Sequence, residues 1–439
     1  MKLWPHQKDA LPRLDAGNYM LAWEPGVGKT LPALVAASTH TKPSLYLCPA
    51  PLRNQIGTVA RGLGLFDKVQ VIQTGKEAMD RSASLVVCSY EQASDVQRWR
   101  ELMGHKWANL ILDEAHYCKN TQAKRTKSVY GARIPSPGAL WRAAERVWPM
   151  SGTPILNDPT ELWPHVSRLW PEVLVELDIQ TADQWMRNFC IVKETPYGPK
   201  ILGGRNLVQL NRVLKPRMSR LTLQDTQANM PPVLIDTIHL PAEAINVSAI
   251  DQISLGLLQA ILSQDEEWNA DFGALEPHLS SLRRLWGLAK VPGIVDLIKT
   301  ELHGGQPKLV CFYQHTDVGR QISEGMGQIP TLIIDGATKD KSQVVERFKT
   351  DPACRVLLAQ IVAGGTGLDG MQHATNRVLL AEYAWTPAVN QQAIARVSRA
   401  GQKLPVRASY VTLSGSMDDD IARALVRKEK LVKEVLDGK

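Results

Sequence analysis

Apolar residues in the first third of the chain fall in short unbroken runs rather than in a two-residue alternation. Leu45-Tyr46-Leu47-Cys48, Val69-Gln70-Val71-Ile72, Leu85-Val86-Val87-Cys88 and Leu110-Ile111-Leu112 are separated by stretches long enough to hold helices. Such runs suit strands covered on both faces, which is the condition of parallel strands joined by helical crossovers. The pattern returns toward the C-terminus in Lys308-Leu309-Val310-Cys311-Phe312, Thr331-Leu332-Ile333-Ile334, Arg355-Val356-Leu357-Leu358 and Arg377-Val378-Leu379-Leu380. Between about Pro171 and Pro307 strand signals thin out and helical periodicity dominates, as in Ile250 through Leu262, with Pro231-Pro232 marking a junction. The pattern therefore predicts an α/β protein of two lobes. The first covers 1–230 with a helical protrusion from about 171, and the second covers 231–439 with a helical insertion at about 241–300 and a C-terminal helix.

Composition narrows the class without choosing a function. The chain has 439 residues, 44% hydrophobic and 22% charged, enough for two or three folded domains. A formal charge of +7 hints at a polyanionic partner. Cys48, Cys88, Cys118, Cys190, Cys311 and Cys354 are scattered without C-x-x-C spacing, so neither a zinc site nor a disulfide framework is indicated. The N-terminus lacks a signal-peptide core and no apolar stretch is long enough to span a bilayer. The expectation is a soluble protein of the cytoplasm that does not engage membranes.

The chemistry concentrates first in Glu24-Pro25-Gly26-Val27-Gly28-Lys29-Thr30, which follows an apolar run. Its glycines let backbone N–H groups curl around phosphate oxygens, Lys29 supplies a mobile cation, and the Thr30 hydroxyl can ligate Mg²⁺. Gly26, Val27, Gly28, Lys29 and Thr30 are thus candidates for holding ATP. Asp113-Glu114-Ala115-His116 follows the run Leu110-Ile111-Leu112. There Asp113 can share the Mg²⁺ with Thr30, and Glu114 can orient the attacking water. Either motif alone is weak, whereas the two in order describe a nucleotide hydrolase.

The remaining motifs make that series specific. Asp113-Glu114-Ala115-His116-Tyr117-Cys118-Lys119-Asn120 resembles the DEAH-x-x-K-N box of the Snf-type DNA translocases in helicase superfamily two. Ser151-Gly152-Thr153-Pro154-Ile155-Leu156-Asn157 with Glu161-Leu162-Trp163 is similar to that family's third motif and its trailing E-L-W. Ala363-Gly364-Gly365-Thr366-Gly367-Leu368 resembles motif V, and Gln392 through Gln402 resembles motif VI. Leu3-Trp4-Pro5-His6-Gln7 resembles the Q-motif, Cys48-Pro49-Ala50-Pro51-Leu52 motif Ia, and Ser89-Tyr90-Glu91 motif Ib. Departures also occur. Trp23 stands where the general phosphate loop has its first glycine, Ser398 replaces a histidine between the motif VI arginines, and Gly370 replaces a polar residue of motif V. Gly203-Gly204-Arg205-Asn206-Leu207, Lys290-Val291-Pro292 and Ala381-Glu382-Tyr383-Ala384-Trp385 look more like the compact fork-remodelling annealing helicases than the large nucleosome remodellers.

The resemblance implies two RecA-like parallel-sheet lobes with helical insertions between and on them, and ATP hydrolysed between the lobes. Glu114, Arg396, Arg399 and Gln392 would be catalytic, and Gln7 would read the adenine. Pro49, Ser89, Lys119, Ser151, Thr153, Gly365 and Thr366 would face DNA. Two basic stretches free of acids, Lys119 to Arg142 and Arg205 to Arg220, are further candidates for gripping a phosphate backbone. The tryptophans after the DEAH box suit hydrophobic packing better than base stacking. The implied activity is a monomeric double-stranded or forked DNA translocase acting without general strand separation. It would work near the nucleoid, or in the host cytoplasm if phage-encoded. Two alternatives stay open: a strand-separating helicase or restriction-type motor subunit, and a nucleotide-gated DNA-binding module.

Overall fold

The computed structural model describes residues 3–131, 138–195, 198–226, 231–241, 272–361, 370–384, 387–399, 401–413 and 435–436. The chain divides into two compact units, 1–229 with 427–439, and 230–426. The division lies beside Pro231-Pro232.

The first unit is built on seven strands: β1 (Met20–Trp23), β2 (Ser44–Cys48), β3 (Val69–Val71), β4 (Leu85–Ser89), β5 (Trp107–Asp113), β6 (Ala144–Met150) and β9 (Met218–Leu221). They lie in the order β3-β4-β2-β5-β6-β1-β9, every pair parallel. The unbroken apolar runs have their reason here. In β2, Leu45 and Leu47 point into one core while Tyr46 and Cys48 point into the other; Leu110 and Leu112 of β5 part from Ile111 in the same way. With both faces covered, the two-residue period of the strand disappears from the hydropathy pattern. Tyr46 shares its face with Val27, Ala33 and Leu34 of the phosphate loop and its helix, Thr30–Ser38.

The second unit carries β10 (Val233–Leu240), β11 (Leu309–Tyr313), β12 (Thr331–Ile334), β13 (Val356–Gln360), β14 (Arg377–Leu380) and β15 (Val406–Leu413), ordered β10-β15-β14-β11-β13-β12 and again all parallel. The helix Phe272–His303 covers one face. Val291, Ile294, Val295, Ile298 and Leu302 recur at helical spacing and all enter one core with the strand residues Leu309 and Leu358.

The stretch 171–307 is less helical than its sequence suggests. It contains β9, β10 and an antiparallel hairpin of β7 (Cys190–Thr195) and β8 (Gly198–Gly204). β7, β8 and β9 are edge or two-stranded elements in which Lys, Glu, Gly, Ser and Arg break up the apolar residues, while β10 opens on Val233-Leu234-Ile235 but is then interrupted by Asp236, Thr237 and His239. The stretch Ile250 through Leu262 lies outside the described residues. Val435 and Leu436, assigned by the sequence pattern to the second lobe, are buried in the first unit's core. Their carbonyls accept hydrogen bonds from Asn211 Nδ2 at 2.8 and 3.1 Å.

All six cysteines are free and buried. Burial pushes the thiols of Cys88, Cys118, Cys190 and Cys311 up to about 12, so they pack as small apolar groups. The tryptophans after the DEAH box do the packing expected of them: Trp163, Trp170 and Trp185 are buried in one core with Trp141 packed against it, and Trp148 is buried in the core on the other face of the sheet. Among the described residues, no helix is long and apolar enough to cross a membrane.

Candidate nucleotide site

In the first unit, β1 ends at Trp23 and the chain turns through Glu24–Lys29 into the helix Thr30–Ser38. The turn needs its glycines, since Gly26 and Gly28 sit at φ 90° and 85°. Lys29 Nζ donates to the carbonyl of Trp23 at 2.8 Å, so the side chain lies along its own loop. The N-terminal helix Pro5–Ala16 is fastened to the same loop. Gln7 Nε2 donates to Gly28 O at 3.1 Å and Gln7 Oε1 accepts from Trp4 N at 2.9 Å, while His6 Nε2 lies 3.1 Å from Val27 O. A Cβ on Gly28 would stand 2.7 Å from Gln7 Nε2, so that glycine is required by this contact as well as by its φ. Gln7 is buried, and its amide is engaged with the loop and the helix start.

Asp113 is the last residue of β5, and Tyr46, on the neighbouring strand β2, donates its hydroxyl to Asp113 Oδ2 at 2.9 Å. The same hydroxyl interacts with the Thr30 side chain, so Tyr46 brings the two candidate metal ligands together. Burial holds the Tyr46 phenol well above its usual range, which keeps it a donor. Tyr90 donates to the main-chain carbonyl of Asp113 at 2.8 Å. Burial, and then the Glu114 carboxylate next to it, push Asp113 up to about 6, against the opposing pull of Lys29 and of the Tyr46 hydrogen bond. A carboxylate made costly to ionise in this way is suited to a cation, whose charge would restore the ionised form.

Glu114 is in the left-handed region at φ 51° and ψ 52°, a conformation that costs a non-glycine residue about 1–2 kcal/mol. Its Oε2 is buried with no hydrogen-bond partner among the described residues. His116 Nδ1 is 3.4 Å away. Burial and then Lys119 bring His116 down to about 4, so the imidazole is neutral at pH 7 and carries no charge to offset Glu114. His116 Nδ1 instead lies 3.0 Å from Ser151 Oγ, which accepts from Thr153 N at 3.1 Å. Lys119 Nζ pairs with Glu161 Oε1 at 2.6 Å. Glu161 also takes Asn157 Nδ2 at 2.7 Å, Asn157 N at 3.1 Å and the amide of Leu156. The DEAH box, the Ser-Gly-Thr turn and the E-L-W segment are therefore one hydrogen-bonded unit.

Of the residues expected to face DNA, Lys119 is paired with Glu161 and several others are buried within the first unit. Pro49, Ser89, Ser151 and Thr153 are buried. Ser89 caps the helix Tyr90–Ala93 by accepting from Gln92 N at 3.2 Å, and thereby supports Tyr90. Arg217 pairs with Glu172 at 2.9 Å, and Arg220 with Glu24 at 3.2 Å. Gly365 and Thr366, with the rest of motif V, lie outside the described residues.

In the second unit, the helix Pro387–Ile394 carries Gln392 and ends before Arg396 and Arg399, which fall in the turns that follow. Gln402 holds those turns: its Nε2 donates to Thr375 O at 2.9 Å and Val397 O at 3.2 Å, and its Oε1 accepts from Lys403 N and Leu404 N. Gly401 sits at φ 97°, with His373 Cε1 only 2.5 Å from where a Cβ would be. The Gly-Gln pair of motif VI thus shapes the arginine-bearing turn. No role beside Asp113 was assigned to Tyr46 or Tyr90 from the sequence. The only signal for Tyr46 was a hydroxyl set in an otherwise apolar strand run.

A phosphate loop and a DEAH box at the C-terminal ends of parallel strands define a nucleotide-hydrolysing α/β motor domain. Similarity sharpens the class. The SNF2-related domain family model matches residues 10–249, more than half of the chain, and the chain belongs to that family of helicase-like ATPases. It is 26% identical, over 98% of its length and 44% of the relative's, to the Xenopus tropicalis SWI/SNF-related matrix-associated actin-dependent regulator of chromatin subfamily A-like protein 1. It is 27% identical, over 100% of its length and 41% of the relative's, to the Bos taurus DNA annealing helicase and endonuclease ZRANB3. The chain thus spans less than half the length of these relatives. Among solved structures, the Pyrococcus furiosus Hef helicase domain aligns over 96% of this chain and 98% of its own, with a TM-score of 0.53 and 15% identity, a likeness of fold.

Proposed function

We propose that this protein is an ATP-driven translocase on double-stranded DNA that remodels DNA structures or strips bound protein. The observation carrying the catalytic part of this reading is Glu114: a strained residue whose buried Oε2 has no hydrogen-bond partner among the described residues, directly after Asp113. An unpaired buried carboxylate oxygen is costly to maintain. Here it supplies an acceptor with which to orient a water against a terminal phosphate. Lys29 can swing from the Trp23 carbonyl to phosphate oxygens, exchanging one acceptor for a charged one. Thr30 and Asp113 would hold Mg²⁺, which when bound neutralises charge on the phosphates. Tyr46 orients Asp113, and Gln7 and His6 steady the loop. Arg396 and Arg399 are the candidates for stabilising transition-state charge, an effect worth about 10³–10⁵ in rate when an arginine is correctly placed.

The choice of duplex DNA as the track draws on the family, on the annealing-helicase relative and on the net positive charge. The His116–Ser151 contact supplies a route by which a change beside the nucleotide reaches the Ser151–Thr153 turn, and Lys119–Glu161 one to Leu156 and Asn157 just beyond it. Two assays test the reading. ATP turnover is measured with single-stranded, duplex and forked DNA and with RNA at one salt concentration, and duplex or forked DNA should stimulate most. Displacement of a third strand from a triplex, or reversal of a model fork, is then compared with unwinding of a simple partial duplex. Robust unwinding without triplex displacement would replace translocation by strand separation.

A further inference from the structure

Arg220 belongs to a basic stretch that reads in sequence as a grip on phosphates, yet its guanidinium is committed inside the first unit. β9 is the edge strand next to β1, with Arg220 opposite Ala22. Arg220 Nη1 donates to Ala22 O at 3.1 Å and to Gly152 O at 3.2 Å, while Nη2 pairs with Glu24 Oε1 at 3.2 Å. The neighbouring Ser219 Oγ accepts from the indole Nε1 of Trp23 at 2.6 Å. Gly152 rests against the phosphate loop, because a Cβ there would be 2.6 Å from Pro25 Cδ. One guanidinium therefore touches the strand leading into the phosphate loop, the first residue of that loop, and the middle of the Ser151–Thr153 turn.

The geometry points to Arg220 as a positioning residue that locks the phosphate loop to the Ser151–Thr153 turn, so that the two move together through the hydrolytic cycle. Three acceptors on three segments suit a planar fork with several fixed donors. A lysine ammonium, as a point charge on a flexible stem, cannot reproduce that arrangement. Arg220 touches neither Lys29 nor Glu114 in any contact described above. Its action runs through Trp23, whose carbonyl receives Lys29, and through Ser151, whose hydroxyl meets His116. Trp23 takes on a reason as well, since its indole is fastened to Ser219 and its carbonyl to Lys29.

This inference rests on the ATPase reading, and the test separates the two. Wild type, Arg220→Lys, Glu24→Gln and the double variant are compared for kcat and KM of ATP hydrolysis with and without saturating duplex, for binding of a fluorescent ADP, for duplex affinity across salt concentrations, and for melting temperature. Arg220→Lys should lower kcat about tenfold, a barrier change of about 1.4 kcal/mol. KM and ADP affinity should stay within about twofold, as for an interaction that matters in the transition state rather than in ground-state binding. Glu24→Gln should show part of the same loss, and the double variant should be no worse than Arg220→Lys, because both act through one contact. Wild-type turnover in Arg220→Lys overturns the proposal. A salt dependence of duplex binding whose slope falls by about one overturns it in favour of a phosphate contact. A lowered melting temperature with kcat, KM and ADP affinity all impaired, in Glu24→Gln too, reduces Arg220 to a purely structural strut. If wild type hydrolyses ATP without responding to DNA, the translocase reading fails while the kcat-against-KM split still judges Arg220.

Discussion

Tyr46→Phe isolates a single hydroxyl. The ring is fully buried and phenylalanine keeps its packing, but Asp113 Oδ2 loses the donor 2.9 Å away. A hydrogen bond to a charged group contributes about 1.5–3 kcal/mol, and about 1.4 kcal/mol corresponds to one pH unit. The Asp113 midpoint, already raised to about 6, should therefore climb by about one to two pH units. The sign follows from which form the hydroxyl stabilises: it favours the ionised carboxylate, so its loss favours the proton. On the proposed role of Asp113 it is the ionised form that would hold Mg²⁺, so activity should be lost as pH falls, and the acid limb should move to higher pH in the variant. The assay is kcat/KM for ATP between pH 5.5 and 9 at two Mg²⁺ concentrations. The variant should approach wild type at the alkaline end, and added Mg²⁺ should pull the limb back down, because metal and proton compete for the carboxylate. A pH profile identical to wild type would refute the reasoning, as would a loss that is uniform in pH and indifferent to Mg²⁺.

Other residues give equally specific outcomes. Lys29→Ala should nearly abolish hydrolysis, because the loop loses its mobile cation, while leaving duplex affinity intact in a filter-binding assay if DNA is gripped elsewhere as proposed. Glu114→Gln keeps the size of the side chain but removes the carboxylate, so ATP should bind and remain unhydrolysed, as a single-turnover trapping experiment would show. Arg396→Ala and Arg399→Ala should each depress kcat more than nucleotide affinity, and normal turnover of both at saturating DNA would remove them from the catalytic set. Gly401→Ala should destabilise the second unit by about 1–3 kcal/mol, through a strained backbone and the clash with His373, visible in thermal or denaturant unfolding.

The chemistry was legible in the sequence because it is local. A phosphate loop needs Gly26, Gly28, Lys29 and Thr30 as near neighbours, and a strand-end acidic pair needs Asp113 and Glu114 in succession, so spacing alone reveals them. Parallel strands buried on both faces were likewise legible as unbroken apolar runs, which is why β2, β4, β5, β11 and β14 could be read directly; the edge strand β12 was legible because its own residues are apolar. The edge strands β9 and β10 could not be read so, because polar residues break them: Ser219 and Arg220 in β9, and Asp236, Thr237 and His239 in β10. Partnership was also invisible where it crosses large separations. Tyr46 meets Asp113 across 67 residues, Lys119 meets Glu161 across 42, and Arg220 meets Glu24 across 196. Sequence shows that Arg205 to Arg220 is basic. Only the parallel register of β9 on β1 decides that Arg220 is an internal clamp, since a charge is free for a ligand only when the fold brings no acceptor of its own within reach.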